Sequence, residues 1–318
     1  MNAPGKVQDI AVGILCDVQR RFLLAQRRPG TYGAGLWEFP GGKHEPGETL
    51  PATLQRELEE EIGITPRATR PLIRMQHSPT GWPVRLHIWL VSRWHGTAYG
   101  REGQRVAWCS RAQLQALDLL PGNRAILNAL YLPQYLAITP EVPGTIDSHR
   151  WWQTLEQVLT TAGLMLRLRA PALDDAAYEQ LADRVVARAR LAGVPVLLDR
   201  NPVLVERLGA AGLHWPSARA RAATIRPVGR HCWFGVSAHD EEQLRTALAL
   251  DADFAVLSPV HATASHPGRE ALGWQRWQQL RADTGLPVYA LGGLTSDDLA
   301  TAREHNAQGI AGIRAFWK

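Results

Sequence analysis

The sequence predicts an α/β protein of two domains, a layered mixed-sheet domain followed by a compact barrel, and three observations carry that prediction. At 318 residues the chain exceeds one ordinary compact domain and suffices for two, each with its own core. Up to residue 132, apolar strands and two helical stretches alternate irregularly. From Pro133 the rhythm becomes a regular repeat of strand then helix. The expected domains are therefore 1–132 and 133–318.

In the first domain, "IAVGILCD" (10–17) and "RFLLAQRR" (21–28) read as two strands joined by a polar turn near Asp17 to Arg20. The glycines and prolines of "RRPGTYGAGLWEFPGG" forbid long regular structure. An acidic helix follows. Thr49 suits its N-cap, Pro51 its first turn, and Gly63 the left-handed residue at its end. Leu54, Leu58 and Ile62 give it an apolar seam. "VRLHIWLVSRW" (84–94) alternates as a strand, with Leu86, Ile88 and Leu90 on one face and Arg85, His87 and Trp89 on the other. "RVAWCS" is a short strand, and "GNRAILNALYL" a helix that stops before Pro133. That gives mixed strands flanked by two helices over about 130 residues, a usual domain size.

In the second domain the candidate strands are 135–139, 164–169, 195–199, 212–215, 233–237, 254–258, 287–291 and 309–313. Amphipathic helical stretches such as "DAAYEQLADRVVARARLAG" and "DEEQLRTALAL" lie between them. Short buried strands alternating with helices in this way predict a (β/α)8 TIM barrel, compact at about 185 residues, with an open doubly wound sheet as the alternative.

The composition, 45% apolar and 20% charged, is that of a folded globular chain. No apolar run reaches the roughly 18 residues of a membrane span, and "MNAPGKVQDI" lacks a signal-peptide pattern, so a cytoplasmic protein without a membrane partner is expected. Cys16, Cys109 and Cys232 are odd in number and far apart, which argues against a disulfide framework and a thiolate metal cluster and leaves them as ordinary thiols. The net charge is +5, yet the only lysines are Lys6, Lys43 and Lys318, and the arginines are scattered. Stable nucleic-acid binding is not expected from such a distribution, whereas anionic small molecules are suitable partners.

Against that positive charge, the acidic helix concentrates Glu57, Glu59, Glu60 and Glu61, with Glu45 and Glu48 just upstream. Glu57, Glu60 and Glu61 are spaced i, i+3, i+4 and share a face, while Glu59 points elsewhere. Their mutual repulsion disappears if a hard divalent cation such as Mg²⁺ sits among them and bridges to substrate phosphates. The alternative is a solvated acidic face. The rest of the frame decides between them, since nine specified positions, Gly42, Glu48, Arg56, Glu57, Leu58, Glu60, Glu61, Gly63 and Ile64, fit the pattern G-x5-E-x7-R-E-U-x-E-E-x-G-U without a gap, U being a bulky aliphatic. This pattern resembles the Nudix box.

The resemblance implies a pyrophosphohydrolase using Mg²⁺ or Mn²⁺, with a Nudix α/β/α sandwich as its fold. It extends over the whole first domain, where "IAVGI", "EFPGGK", "WLVSRW", "GREGQ" and "PGN" resemble, in order, the MutT type that clears 8-oxo-dGTP. It implies metal ligation by the Gly42 carbonyl, Glu57, Glu60 and Glu61, with Glu102 a further metal or water-orienting carboxylate. It also implies that Arg27, Glu38 and Phe39 surround the nucleotide and that Asn123 reads the oxidised purine edge. Glu57 is the first choice of general base and Glu102 the second. Arg56 is expected to pair with Glu48 or a neighbouring glutamate, a structural role shared with Gly63. The loop "PGTYGAG" departs from the family in residue type where it would flank sugar and base.

From about Gln134 onward, "YLAIT", "LRLR", "GVPVLLD", "GLHWPS", "GVSAH", "DFAVLSPVHATASHPG", "LGGL" and "GIAGIRAF" resemble, in order, thiamine phosphate synthase and its relative the thiazole tautomerase. By that resemblance Gly292, Gly293 and the backbone near Gly312 to Ala315 would cradle the phosphate of a small molecule. The synthases hold Mg²⁺-pyrophosphate with aspartates after the third and fourth strands. Here Asp199 is followed by Arg200, and "LHWPSA" has no aspartate, which implies loss of that site. The tautomerase histidine falls at Pro259, with His261 and His266 in the same loop, so His261 is the candidate replacement. Three readings result: a sanitising nucleotide hydrolase with an accessory barrel, a barrel that senses a phosphorylated ligand and regulates the hydrolase, or a bifunctional thiamine-pathway protein.

Overall fold

The computed structural model describes residues 7–77, 83–142, 148–262, 270–282 and 284–317. The chain divides into two compact units, Met1–Leu130 and Tyr131–Lys318. The division falls two residues ahead of the expected Leu132/Pro133 boundary, because the buried Leu132 packs with Leu136, Met165 and Tyr289 inside the second unit.

The first unit runs β1 (Gln8–Leu15), β2 (Phe22–Gln26), β3 (Trp37–Glu38), β4 (Gly41–Lys43), α1 (Leu50–Ile62), β5 (Thr65–His77), β6 (Val84–His95), β7 (Val106–Cys109), α2 (Arg111–Ala116) and α3 (Asn123–Tyr131). Two sheets result, a mixed one of order β4-β1-β6-β5 and an antiparallel one of order β3-β2-β7. β1 lies parallel to β6, from Gln8 opposite Val84 to Leu15 opposite Val91, and antiparallel to β4, with Ala11 opposite Gly42. The β1–β2 turn is tied by Asp17, whose Oδ1 accepts the N–H groups of Gln19 (3.0 Å) and Arg21 (2.8 Å). The core between the sheets and α1 contains Ala11, Leu15, Leu23, Leu54, Leu58, Ile62, Ile64 and Val91.

β5 has no counterpart in the sequence reading. Its "TPRATRPLIRMQH" contains two prolines and three arginines, so it lacks strand-like alternation. It is an edge strand, the place where proline is tolerated, and its register against β6 shifts between Pro66 and Ala68 and between Pro71 and Ile73. Along β6 the buried positions run Leu86, Ile88, then Val91 rather than Leu90, so the expected alternation holds for its first half only.

The second unit runs β8 (Tyr135–Ile138), α4 (His149–Leu159), β9 (Leu164–Arg167), α5 (Asp175–Leu191), β10 (Val196–Leu198), α6 (Pro202–Leu208), β11 (Gly212–Trp215), α7 (Ser217–Arg221), β12 (Trp233–Ala238), α8 (Glu241–Ala249), β13 (Phe254–Leu257), α9 (Gly273–Ala282), β14 (Val288–Leu291), α10 (Leu299–Glu304) and β15 (Gly309–Gly312). The strands form a closed parallel barrel, sealed where Ile310 of β15 lies opposite Tyr135 of β8. Closure overturns the alternative of an open sheet. Leu136, Ile138, Met165, Leu197, Phe254, Val256 and Tyr289 fill the interior, while the alternate strand residues face the helices. Among the described residues no helix is long and apolar enough to cross a membrane.

Candidate active site

Helix α1 is fixed at both ends. Thr49 Oγ1 accepts the Ala52 N–H at 3.3 Å, and Gly63, at φ 71°, closes the other end as its N–H and that of Ile64 donate to the carbonyls of Glu59 and Leu58. Leu54, Leu58 and Ile62 face the core, which fixes the rotation of the acidic positions.

Glu57 and Glu61 are brought together against β4. A Cβ at Gly42 would lie 2.1 Å from Glu57 Oε2, so only glycine lets this carboxylate press on the strand. The Gly41 N–H donates to Glu61 Oε2 at 3.0 Å from a backbone with φ 147°. Glu60 turns outward and meets Arg56 Nη1 at 3.2 Å. Arg56 braces the motif: Nε donates to Glu48 Oε1 (2.8 Å), Nη1 to Glu57 Oε1 (2.8 Å) and Nη2 to the Lys43 carbonyl (3.0 Å). Glu48 also accepts from Thr53 Oγ1 at 2.8 Å. Arg56, with Thr53, holds the Glu48 carboxyl down to about 2.

The inner carboxylates behave oppositely. Burial pushes Glu61 up to about 8, with the charges of Glu38, Glu57 and Glu102 adding and the Gly41 N–H opposing. Burial also raises Glu57, against the pull of Arg56. Desolvated carboxylates pressed against the Gly41–Gly42 backbone, with one arginine beside them, make an oxygen donor set that fits Mg²⁺ or Mn²⁺.

The "GREGQ" loop is strapped to the end of α1. The Tyr99 N–H donates to the Ile62 carbonyl (3.1 Å), while the Arg101 N–H (3.0 Å) and Gln104 Nε2 (2.9 Å) donate to that of Glu61. Glu102 on this loop pairs with Arg28 at 3.1 Å and adds its charge to the field at Glu61. The expected nucleotide contacts form two pairs. Arg27 meets Glu38 at 2.7 Å, and burial still raises the Glu38 carboxyl. Asn123, buried at the start of α3, accepts the N–H of the buried Phe39 at 3.1 Å and donates Nδ2 to the Leu120 carbonyl at 3.2 Å. Sequence reasoning assigned no role to Arg28, Gly41 or Gln104. Gln104 and Gly41 stood within quoted motifs, while Arg28 carried no local signal.

In the barrel, Gly292 (φ 117°) and Gly293 (φ 67°) follow β14, and the His261 N–H donates to the Gly292 carbonyl at 3.0 Å. A Cβ on Gly293 would stand 2.8 Å from that of His261, so these candidates are neighbours. Gly312 ends β15, against Ala315. His266 lies outside the described residues. Arg200 turns back, donating to Asp175 (2.6 Å) and to the carbonyls of Ala170 (2.9 Å) and Leu173, with its guanidinium over the Tyr178 ring. Missed by sequence reasoning are Arg167, 3.9 Å from Asp199, and the wholly buried His214. Burial, then the charge of Arg167, lowers His214 well below the ordinary histidine range. A charged residue inside a buried strand, "LRLR", was the available signal.

A layered mixed sheet bearing a carboxylate-lined helix defines a Nudix-type pyrophosphohydrolase, here joined in one chain to a parallel (β/α)8 barrel. Residues 7–130 match the NUDIX domain family and residues 136–316 the thiamine monophosphate synthase family. The first unit is 37% identical over 125 residues to an 8-oxo-dGTP diphosphatase of Escherichia coli, spanning 39% of this chain and 97% of that protein. It is also 37% identical over 118 residues to the CTP pyrophosphohydrolase of the same organism, spanning 37% and 87%. The second unit is 30% identical over 185 residues to a putative thiamine-phosphate synthase of Aquifex aeolicus, spanning 58% and 98%. The chain thus belongs to the NUDIX domain family by its first unit and to the thiamine monophosphate synthase family by its second.

Proposed function

We propose that the first unit hydrolyses oxidised purine nucleoside triphosphates in the cytoplasm, converting 8-oxo-dGTP to 8-oxo-dGMP and pyrophosphate and so clearing a mutagenic precursor before DNA replication. The observation that carries this reading is the pair of desolvated carboxylates, Glu57 and Glu61, held against Gly41 and Gly42. The Gly42 carbonyl, Glu57, Glu60 and Glu61 would hold Mg²⁺ or Mn²⁺, with Glu102 a further ligand or water-orienting group. When bound, such an ion neutralises phosphate charge and acidifies a water.

The chain supplies the rest. Arg56 fixes the Glu57 carboxylate, which takes the proton of the attacking water, with Glu102 the second candidate for that role. The water oxygen bonds to the β-phosphorus as the bond to the bridging α-phosphate oxygen breaks. The monophosphate and pyrophosphate then leave. Asn123 and Phe39, joined through the Phe39 N–H, offer an amide edge and a ring to the base, and the Arg27–Glu38 pair borders them.

For the barrel, the buried Arg167, whose Nε has no partner among the described residues, favours a second reading: a site for a phosphorylated small molecule. Gly292, Gly293 and Gly312 would receive its phosphate, and His261 would be its catalytic candidate. The test compares 8-oxo-dGTP, dGTP, CTP and thiamine diphosphate with the full chain and Mg²⁺, following pyrophosphate release from the nucleotides and phosphate release from the thiamine compound. Preference for 8-oxo-dGTP supports sanitation with an accessory barrel. Preference for CTP or thiamine diphosphate overturns it.

A further inference from the structure

At the end of the barrel where the strands begin, a cluster of three different ligand types converges that neither reading employs. Glu206 comes from α6, and His231 and Cys232 immediately precede β12. Their ligand atoms all lie within 4.8 Å of one another. Glu206 Oε1 is 2.8 Å from His231 Nε2 and 3.9 Å from Cys232 Sγ. Zn²⁺ with bonds of about 2.0–2.3 Å sets tetrahedral ligand atoms roughly 3.3–3.8 Å apart, so shifts of about 1 Å in exposed side chains would close the cluster around an ion.

The backbone carrying these ligands is built rather than loose. Arg226 donates Nη2 to the Cys232 carbonyl (2.7 Å) and Nε to that of Val228 (3.0 Å), and it pairs with Asp253 at 2.6 Å. Asp253 in turn accepts the Phe234 N–H at 2.7 Å, which locks the segment to β12. The Cys232 N–H closes the turn onto the Gly229 carbonyl at 3.0 Å. A Cβ at Gly229 would stand 2.6 Å from His231 Cε1, so glycine makes room for the ring to fold towards Glu206.

We propose that Glu206, His231 and Cys232 form a site for a borderline-soft divalent cation of the Zn²⁺ class, chemically distinct from the all-oxygen site on α1. Sulfur, imidazole nitrogen and carboxylate oxygen together suit Zn²⁺ and disfavour Mg²⁺. On binding, the Cys232 thiol releases its proton to solvent. Sγ, His231 Nε2 and a Glu206 oxygen each donate a lone pair, and no electron transfer occurs. The isolated spacing of the cysteines argued against a thiolate cluster, but this site needs one thiolate, with His231 adjacent in sequence and Glu206 supplied by the fold from 26 residues away. The ion would pin α6 to the entry of β12.

The test uses the full-length protein saturated with Mg²⁺, so that the α1 carboxylates are occupied, and titrates Zn²⁺ against a chromophoric chelator and Co²⁺ by absorption. The expected result is a single tight Zn²⁺ equivalent and a thiolate-to-Co²⁺ charge-transfer band. Cys232→Ser should abolish the band. His231→Ala, at an exposed position that spares the fold, should weaken Zn²⁺ binding by more than the roughly 10–100-fold that loss of an outer-shell partner costs. Nucleotide hydrolysis with Mg²⁺ should be unchanged in both variants. Absence of the band in the unaltered protein, or its persistence in Cys232→Ser, would reduce the cluster to a Glu206–His231 ion pair beside a thiol and overturn the proposal.

Discussion

Two buried carboxylates, Asp253 of the barrel and Glu61 of the first unit, sit in contrasting charge environments. In the barrel, Asp253 meets Arg226 at 2.6 Å and accepts a backbone N–H, and Asp199 lies near Arg167, so each has its own counter-charge within the chain. In the first unit, Glu61 has a single Gly41 N–H and no paired cation among the described residues, and burial first, then the charges of Glu38, Glu57 and Glu102, raises its proton affinity. A buried carboxylate that is matched internally belongs to the architecture. On the proposed reading, one left unmatched stores a demand for a cation from outside, and the chemistry is assigned to the place of that demand.

The sharpest way to break this contrast is to remove one charge from each unit. Glu57→Gln should lower pyrophosphate release by at least about a hundredfold at saturating Mg²⁺, because ligand charge and proton acceptor are lost together. Its thermal midpoint should hold or rise, since a desolvated charge has gone. A variant retaining most of its turnover would end the assignment of Glu57. Arg226→Ala should do the reverse. It removes the counter-charge of Asp253 and should cost the second unit about 3–5 kcal/mol in denaturant unfolding while leaving hydrolysis intact. A loss below about 1 kcal/mol would place the pair with ordinary surface bridges and blunt the comparison.

Ligand linkage sharpens it further. Mg²⁺ at about a hundred times its dissociation constant should stabilise the first unit by about 2.7 kcal/mol. Glu61→Gln should forfeit most of that gain, and Arg226→Ala should keep it. Equal Mg²⁺ stabilisation in Glu61→Gln and the unaltered protein would show that Glu61 does not face the ion.

Helix α1 was legible in the sequence because its signals are local: Thr49, Pro51 and Gly63 mark its ends, and Leu54, Leu58 and Ile62 set its buried face. All eight barrel strands were legible for a related reason, since strands covered on both sides read as short continuous apolar runs. β5 was not, because an edge strand with Pro66 and Pro71 takes its regularity from its partner β6. The Arg28–Glu102 and Phe39–Asn123 contacts join residues 74 and 84 positions apart, and no periodicity announces such pairs. The Glu206, His231 and Cys232 cluster is hidden on the same ground, since Glu206 lies 26 residues from Cys232. Motif spacing reaches groups that share a helix, and only the folded chain reveals groups that share a place.

The smallest expected effect tests whether the carboxylate array depends on the helix that carries it. Thr49→Ala removes the Oγ1 acceptor of the Ala52 N–H and should cost about 1 kcal/mol. The cost should appear in unfolding of the first unit, with turnover nearly unchanged, because the brace of Arg56 to Glu48, Glu57 and the Lys43 carbonyl fixes the working end of α1 independently of its cap. If turnover instead fell in step with that of Glu57→Gln, the cap would be setting the positions of Glu57 and Glu61. The unmatched charge would then owe its placement to the helix start rather than to the arginine brace.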